Sequence, residues 1–183
     1  MRSIPVRVVS TEVLLLGGVG YTYLGDMSFG AILVERLRAL EWSSGVAVED
    51  VSYNPITVMD WLRDDPDRFD RAIFFGAIER GREPGSLTRY QWIASGIPAA
   101  TVQDCVAEAV TGSISLYNLL VIGSHFELLP ADTTVIEFEP VENNWGQGLS
   151  ATGEMRATEV IGWLRGELTA PATVGANGHG AQA

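Results

Sequence analysis

Apolar and polar positions along the chain fall into blocks whose spacing switches between strand and helix periods. Val13, Leu14, Leu15 and Leu16 form a short continuous apolar run, which predicts a buried strand over Glu12–Gly17. Gly17, Gly18 and Gly20 read as a glycine-rich turn after it. Ile32, Leu33 and Leu37 then fall at helical spacing and predict a helix over Ser28–Leu40. Glu41–Gly45 is a turn with Gly45 as its stop signal. Val46–Ser52 alternates weakly as a second strand, and Ile56, Met59 and Leu62 mark a helix over Ile56–Arg63. That helix ends in the run Asp64-Asp65-Pro66-Asp67, because proline cannot donate into the ladder.

The second half continues the alternation. Ala72–Phe75 reads as a third buried strand, Glu79–Gly85 as a polar loop, and Ser86–Trp92 as a returning edge strand. Thr101–Ala109 predicts a short helix with Val102, Val106 and Ala109 on one side. Thr111–Ile122 predicts a mid-chain helix with Ser113 as its N-cap. Thr133–Phe138 is a β-branched strand. Thr152–Leu168 is a last helix whose expected buried face holds Met155, Val160, Trp163 and Leu164. Strands alternating with helices predict an α/β protein, a three-layer α/β/α arrangement in which helices flank a mostly parallel twisted sheet of about five strands. The domain is expected over 12–168, after an N-terminal extension at 1–11. The small-residue tail at 169–183 is expected to be disordered, since it cannot bury enough surface to offset its ordering entropy. No internal repeat or second domain is evident.

Charge narrows the partners. Against 12 lysines and arginines stand 23 acids, a formal charge of −11, which argues against nucleic acid or an anionic membrane surface. The single cysteine, Cys105, excludes an intramolecular disulfide and reads as a small buried hydrophobe before it reads as a nucleophile. His179 lies in the tail, so any histidine-dependent device must use His125, whose setting is that of a helix C-terminus. With no apolar targeting segment, the expectation is a soluble cytoplasmic protein that inserts in no membrane.

Candidate chemistry concentrates in the loops. The glycines after the first strand lack the G-x-G-x-x-G spacing, no phosphate-cradling lysine motif is present, and Asp26 would repel phosphate. Asp26 also suits an N-terminal cap of the first helix. Glu79, Glu83, Asp104, Glu108 and His125 offer donor atoms for a metal, but their spacing matches no compact ligand set and loop acids are commonly just solvated. Tyr21, Tyr23, Tyr53 and Trp145 suit either a peptide- or protein-binding groove or simple packing over the sheet's end.

Several segments carry a family resemblance. Gly18-Val19-Gly20, Leu24-Gly25-Asp26 and Phe29-Gly30 resemble the opening of the hydrogenase maturation endopeptidases, whose usual form is G-V-G-N, a short loop, then an aspartate, a second acid and a glycine. Glu83–Leu87 resembles the family's P-G-T segment, and Asn118-Leu119-Leu120 its mid-chain helix. Phe138-Glu139-Pro140 with Trp145–Ser150 resembles its segment before the final helix. The order holds from Glu12 to Leu168. The resemblance implies an α/β endopeptidase that removes a C-terminal extension from the large subunit of nickel-iron hydrogenases, recognising nickel already installed in that substrate.

Where the resemblance implies three metal ligands, this chain departs from it. The first-loop acid falls on Met27, the third-strand aspartate on Gly76, and the histidine opening the mid-chain helix on Gly112 or a neighbour of it. Nickel favours imidazole or carboxylate donors, which none of these supplies. Tyr21 stands where the family has asparagine, and Ser52-Tyr53-Asn54-Pro55 replaces its D-G-G-T. The expected cleft positions are therefore Tyr21, Asp26, Met27, Tyr53, Asn54, Gly76 and Gly112, with no catalytic residue and no metal ligand assigned. The resulting expectation is a proteolytically inactive relative that binds a hydrogenase large subunit, or a fellow maturation factor, as an assembly or checkpoint protein without a cofactor. Two alternatives remain open: an active nickel-dependent endopeptidase, and a small-molecule-binding α/β protein.

Overall fold

The computed structural model describes residues 12–146 and 148–169. The N-terminal extension and nearly all of the expected tail lie outside the described residues. Strands β1 (Leu14–Val19), β2 (Val46–Asp50), β3 (Arg71–Ala77), β4 (Leu87–Gln91) and β5 (Asp132–Phe138) form one sheet in the order β2-β1-β3-β5-β4. All neighbours are parallel except β4, which runs antiparallel to β5 at one edge. Helices α1 (Phe29–Arg38) and α5 (Ala151–Thr169) cover one face. Helices α2 (Pro55–Asp64), α3 (Ala99–Val110) and α4 (Leu116–His125) cover the other. This is the expected mostly parallel three-layer α/β/α arrangement.

Strand alternation divides the core between the faces. Leu15, Phe74 and Val135 pack with α2, α3 and α4, while Leu16, Ile73, Phe75, Ile136 and Phe138 pack with α1 and α5. Phe29, the first residue of α1, stacks on Phe138 with ring centroids 4.7 Å apart. Each such fully buried side chain contributes about 1.5–3 kcal/mol.

Four sequence expectations need correction. The first strand does not end at its glycines: β1 continues through Gly17 and Gly18 to Val19, with Gly18 in register with Asp50 and Phe75. A Cβ on Gly18 would meet the Gly30 carbonyl oxygen at 2.5 Å, so the glycines let α1 sit directly on the strand rather than turn the chain. Asp26 does not cap the first helix, because α1 starts after Ser28 and a single 3-10 turn, Gly25–Ser28, precedes it. The mid-chain helix begins later than its apolar pattern suggests. Ser115, not Ser113, is the N-cap of α4, its Oγ accepting from the Asn118 N–H at 3.3 Å. Gly112 with φ +85° ends α3 instead. In α5 the buried face is Ala157, Val160 and Leu164. Met155 is 59% exposed, two residues and half a turn from Ala157, and Trp163 lies on the exposed flank.

Among the described residues no helix is long and apolar enough to cross a membrane.

Candidate functional site at the carboxyl edge of the sheet

Because β1, β2, β3 and β5 are parallel, the loops that follow them gather at one edge, where α/β sheets bind ligands. The first two loops interlock there. The Gly20 N–H donates to Ser52 Oγ at 3.0 Å, and the Val51 N–H to the Gly18 carbonyl at 3.0 Å. Tyr21 crosses from the first loop to the segment joining α3 and α4, where its hydroxyl accepts from the Ile114 N–H at 3.3 Å. Asn54 reaches the last turn of α3, just before that segment. Its Oδ1 accepts from the Ile56 N–H to cap α2, and its Nδ2 donates to the Ala109 carbonyl at 2.6 Å. Tyr21, Asn54 and Gly112 are thus brought around one connection, and Tyr53 beside them is 61% exposed.

Met27 is not among them. Its side chain packs against the cluster of α1 and α5 on the opposite face of the sheet. Gly76, next to last in β3, lies on the α4 face, where a Cβ would stand 2.5 Å from the Val19 carbonyl oxygen and 3.5 Å from Leu116 Cδ2. Position 76 therefore has no room for a side chain as the backbone stands.

Asp26 is fully buried and saturated. Its Oδ2 accepts from the N–H groups of Val141 (2.8 Å) and Glu142 (3.2 Å) and from Ser150 Oγ (2.9 Å), and its Oδ1 from the Ser150 N–H (2.8 Å). The carboxylate fastens the β5–α5 loop onto the first loop. An antiparallel bridge between Leu24 and Trp145 continues that seam. Tyr23 (72% exposed, φ +61°) and Trp145 (77% exposed) stand outward from it.

A group that sequence reasoning missed sits beside Gly76. Glu137 of β5 is in register with Gly76, and its carboxylate is fully buried. Tyr90 Oη donates to Oε1 at 2.7 Å, and Arg80 Nη2 donates to the same oxygen at 2.7 Å. Arg82 Nη1 stands 2.8 Å from Oε2. Burial acts to raise the Glu137 pKa, but the hydrogen bonds from Arg80 and Tyr90 and the charge of Arg80 outweigh it and hold the carboxyl below its usual value. Burial and the bond to Glu137 push the Tyr90 hydroxyl pKa up. Glu139 turns the same loop, accepting from the Arg80 and Gly81 N–H groups at 3.0 Å. The available signal was a single acid, Glu137, inside the otherwise apolar strand Val135–Phe138.

The donor set does not fit a nickel ion. Gly76 and Gly112 carry no donor side chain, Met27 offers a thioether inside an apolar cluster, and nickel favours nitrogen and oxygen ligands. Among the described residues no three histidine, cysteine, aspartate or glutamate side chains converge. Glu79 accepts from Asn143, Glu108 accepts from Asn118, and His125 lies exposed in the last turn of α4. Cys105 is buried in the α2–α4 face. Burial, then the nearby charges of Glu108 and Asp104, raise its thiol pKa, as expected of an inert cysteine. A separate cleft of about 360 Å³ opens between β2 and α2, lined by Arg38, Glu49, Tyr53 and Trp61 among others.

The sheet order, the helix layers and the loop cluster together define the α/β fold of the hydrogenase maturation proteases. Three solved structures carry that assignment. The hydrogenase 2 maturation peptidase of a Thaumarchaeota archaeon superposes with a TM-score of 0.61 at 22% identity, over 86% of this chain and 98% of that one. The nickel-iron hydrogenase maturation protease HycI of Thermococcus kodakarensis gives 0.63 at 18%, over 88% and 96%. The hydrogenase maturating endopeptidase HybD of E. coli gives 0.60 at 20%, over 85% and 91%. Likeness at these identities is likeness of fold. No protein-family model matches the sequence, and no curated protein matches it significantly.

Proposed function

We propose that this chain is a hydrogenase maturation protease-like protein without peptidase activity. In this reading it binds a nickel-iron hydrogenase large subunit, or a partner in its maturation, as a cytoplasmic assembly or checkpoint factor. The observation that carries the reading is a maturation-protease fold whose carboxyl edge, among the described residues, offers no nickel donor set, with position 76 filled by the Val19 carbonyl. Binding without cleavage is supported by Tyr23, Tyr53 and Trp145, which are exposed at that edge. Tyrosine and tryptophan contribute large contact area at low entropic cost.

The test combines the full-length protein with nickel-loaded large-subunit precursor and with the mature subunit. Complex formation is followed by co-purification, and precursor length by intact mass. A stable complex with unchanged precursor mass is expected. Shortening of the precursor by its C-terminal extension would establish the active endopeptidase instead. Failure to bind precursor, mature subunit and maturation proteins alike would overturn the reading.

A further inference from the structure

The cleft beside β2 is a second concave feature, apart from the loop cluster around Tyr21 and Asn54. It runs along the outermost strand of the sheet, and its volume of about 360 Å³ falls within the roughly 300–1,000 Å³ usual for small-ligand sites. Val51 and Val58 are buried and form an apolar floor with the half-buried Trp61. The ring of Tyr53 lines the same space and stays open to solvent. Three charged side chains complete the lining. Arg38 is already committed, since Nε donates to the Val48 carbonyl at 3.0 Å and Nη2 to Glu49 Oε2 at 3.1 Å. Those bonds neutralise Glu49 and cover one carbonyl of the strand. Asp50 is left over. Its Oδ1 accepts from the Ser52 N–H at 2.9 Å, and among the described residues no arginine pairs with either oxygen.

We propose that this cleft is a binding site for an organic cation, an ammonium or guanidinium group on a short apolar stem. Three features select that class. Two acids against one arginine leave one negative charge over, and it resides on Asp50 at the cleft itself. A cation there gains a charge-assisted bond with a carboxylate that no side chain of the protein has claimed. The face of a tyrosine ring attracts cations, and the Tyr53 ring stands beside that carboxylate in the lining. Val51, Val58 and Trp61 supply the apolar surface that a methylene stem would cover. An anion would meet the surplus charge of Asp50, and Arg38 could receive it only by giving up Glu49. A free amine and a lysine or arginine side chain share this chemistry. The site stands on the cleft's own lining and does not depend on the hydrogenase reading.

The test is a titration of the full-length protein followed by nitrogen–proton correlation spectra, with four probes: n-pentylammonium, pentanol, pentanoate, and an end-blocked Gly-Lys-Gly tripeptide. Pentylammonium, the tripeptide or both are expected to shift the Trp61 indole N–H and the backbone amides of 50–53 and 57–61 saturably, and to weaken as salt rises. Pentanol and pentanoate are expected to bind at least tenfold more weakly. Asp50→Asn keeps an oxygen for the Ser52 N–H but removes the charge, and is expected to lower the affinity at least tenfold while thermal unfolding confirms an intact fold. Tyr53→Ala, at an exposed position, is expected to lower it severalfold. Binding of the tripeptide as well as the amine assigns the site to a polypeptide side chain, and binding of the amine alone assigns it to a free small molecule. Absence of saturable shifts with both cations, equal binding of pentanol or pentanoate, or an affinity unchanged by Asp50→Asn would each overturn the proposal. A hydrogenase partner that binds Asp50→Asn as well as the parent, with no cation bound by either, would remove this site and leave the functional reading standing.

Discussion

Replacing Asp26 tests the view that this carboxylate is a buried fastener. In Asp26→Ala three backbone N–H groups (Val141, Glu142 and Ser150) and the Ser150 hydroxyl lose their acceptor. An orphaned buried donor costs about 1–3 kcal/mol, and bonds to a charged group lie at the upper end. Val141 and Glu142 are exposed in the loop, so water restores part of the loss. The expected net destabilisation is about 3 kcal/mol. At about 2–4 °C per kcal/mol for a chain of this size, the melting temperature should fall by roughly 6–12 °C. Asp26→Asn keeps one oxygen for the three donors on Oδ2 but turns an amide N–H₂ toward the Ser150 N–H. Its expected cost is smaller, about 1–2 kcal/mol. Urea unfolding followed by circular dichroism gives both values. Hydrogen exchange should show faster exchange over 141–150 in the alanine variant. A loss below about 0.5 kcal/mol for Asp26→Ala, the range of ordinary surface changes, or an asparagine variant as damaging as alanine, would refute the reasoning.

Three further outcomes are expected. Glu137 has its folded pKa below the unfolded value of 4.5, so the unfolded state binds the extra proton. Its stabilising contribution is complete above that value and is lost as pH falls through the folded pKa. Urea midpoints between pH 3 and 7 should therefore fall less steeply toward acid in Glu137→Gln than in the parent, and parallel curves would count against the ion cluster. Gly76→Asp forces a Cβ against the Val19 carbonyl and should destabilise by about 1–3 kcal/mol without creating nickel affinity. A nickel titration of that variant and a thermal scan decide both points. Cys105 is buried with a raised thiol pKa, so Ellman's reagent should react with it only on unfolding. Rapid reaction in the native protein would show that the α2–α4 face opens.

Local patterning alone determined the element sequence and the fold class. Runs such as Leu14–Leu16 and Ala72–Phe75 read as buried strands between helices because they are short and bounded by turn residues, signals that act within a few residues. The edge strand, foreseen at Ser86–Trp92 and found at Leu87–Gln91, was legible for the same reason, while its antiparallel pairing with β5 came from the structure. The tertiary structure decided the rest. Gly17 and Gly18 looked like a turn but belong to β1, since what requires them is the nearness of Phe74, Val34 and the Gly30 backbone. Asp26 looked like a helix cap, yet its partners are more than a hundred residues away in the chain. Met27 and Gly76, aligned to one cleft by motif order, face opposite sides of the sheet. The Arg80–Glu137–Arg82 group joins residues separated by more than fifty positions. Hydrophobic period is a property of neighbours along the chain, whereas a site is a property of neighbours in space, set only once β5 inserts between β3 and β4.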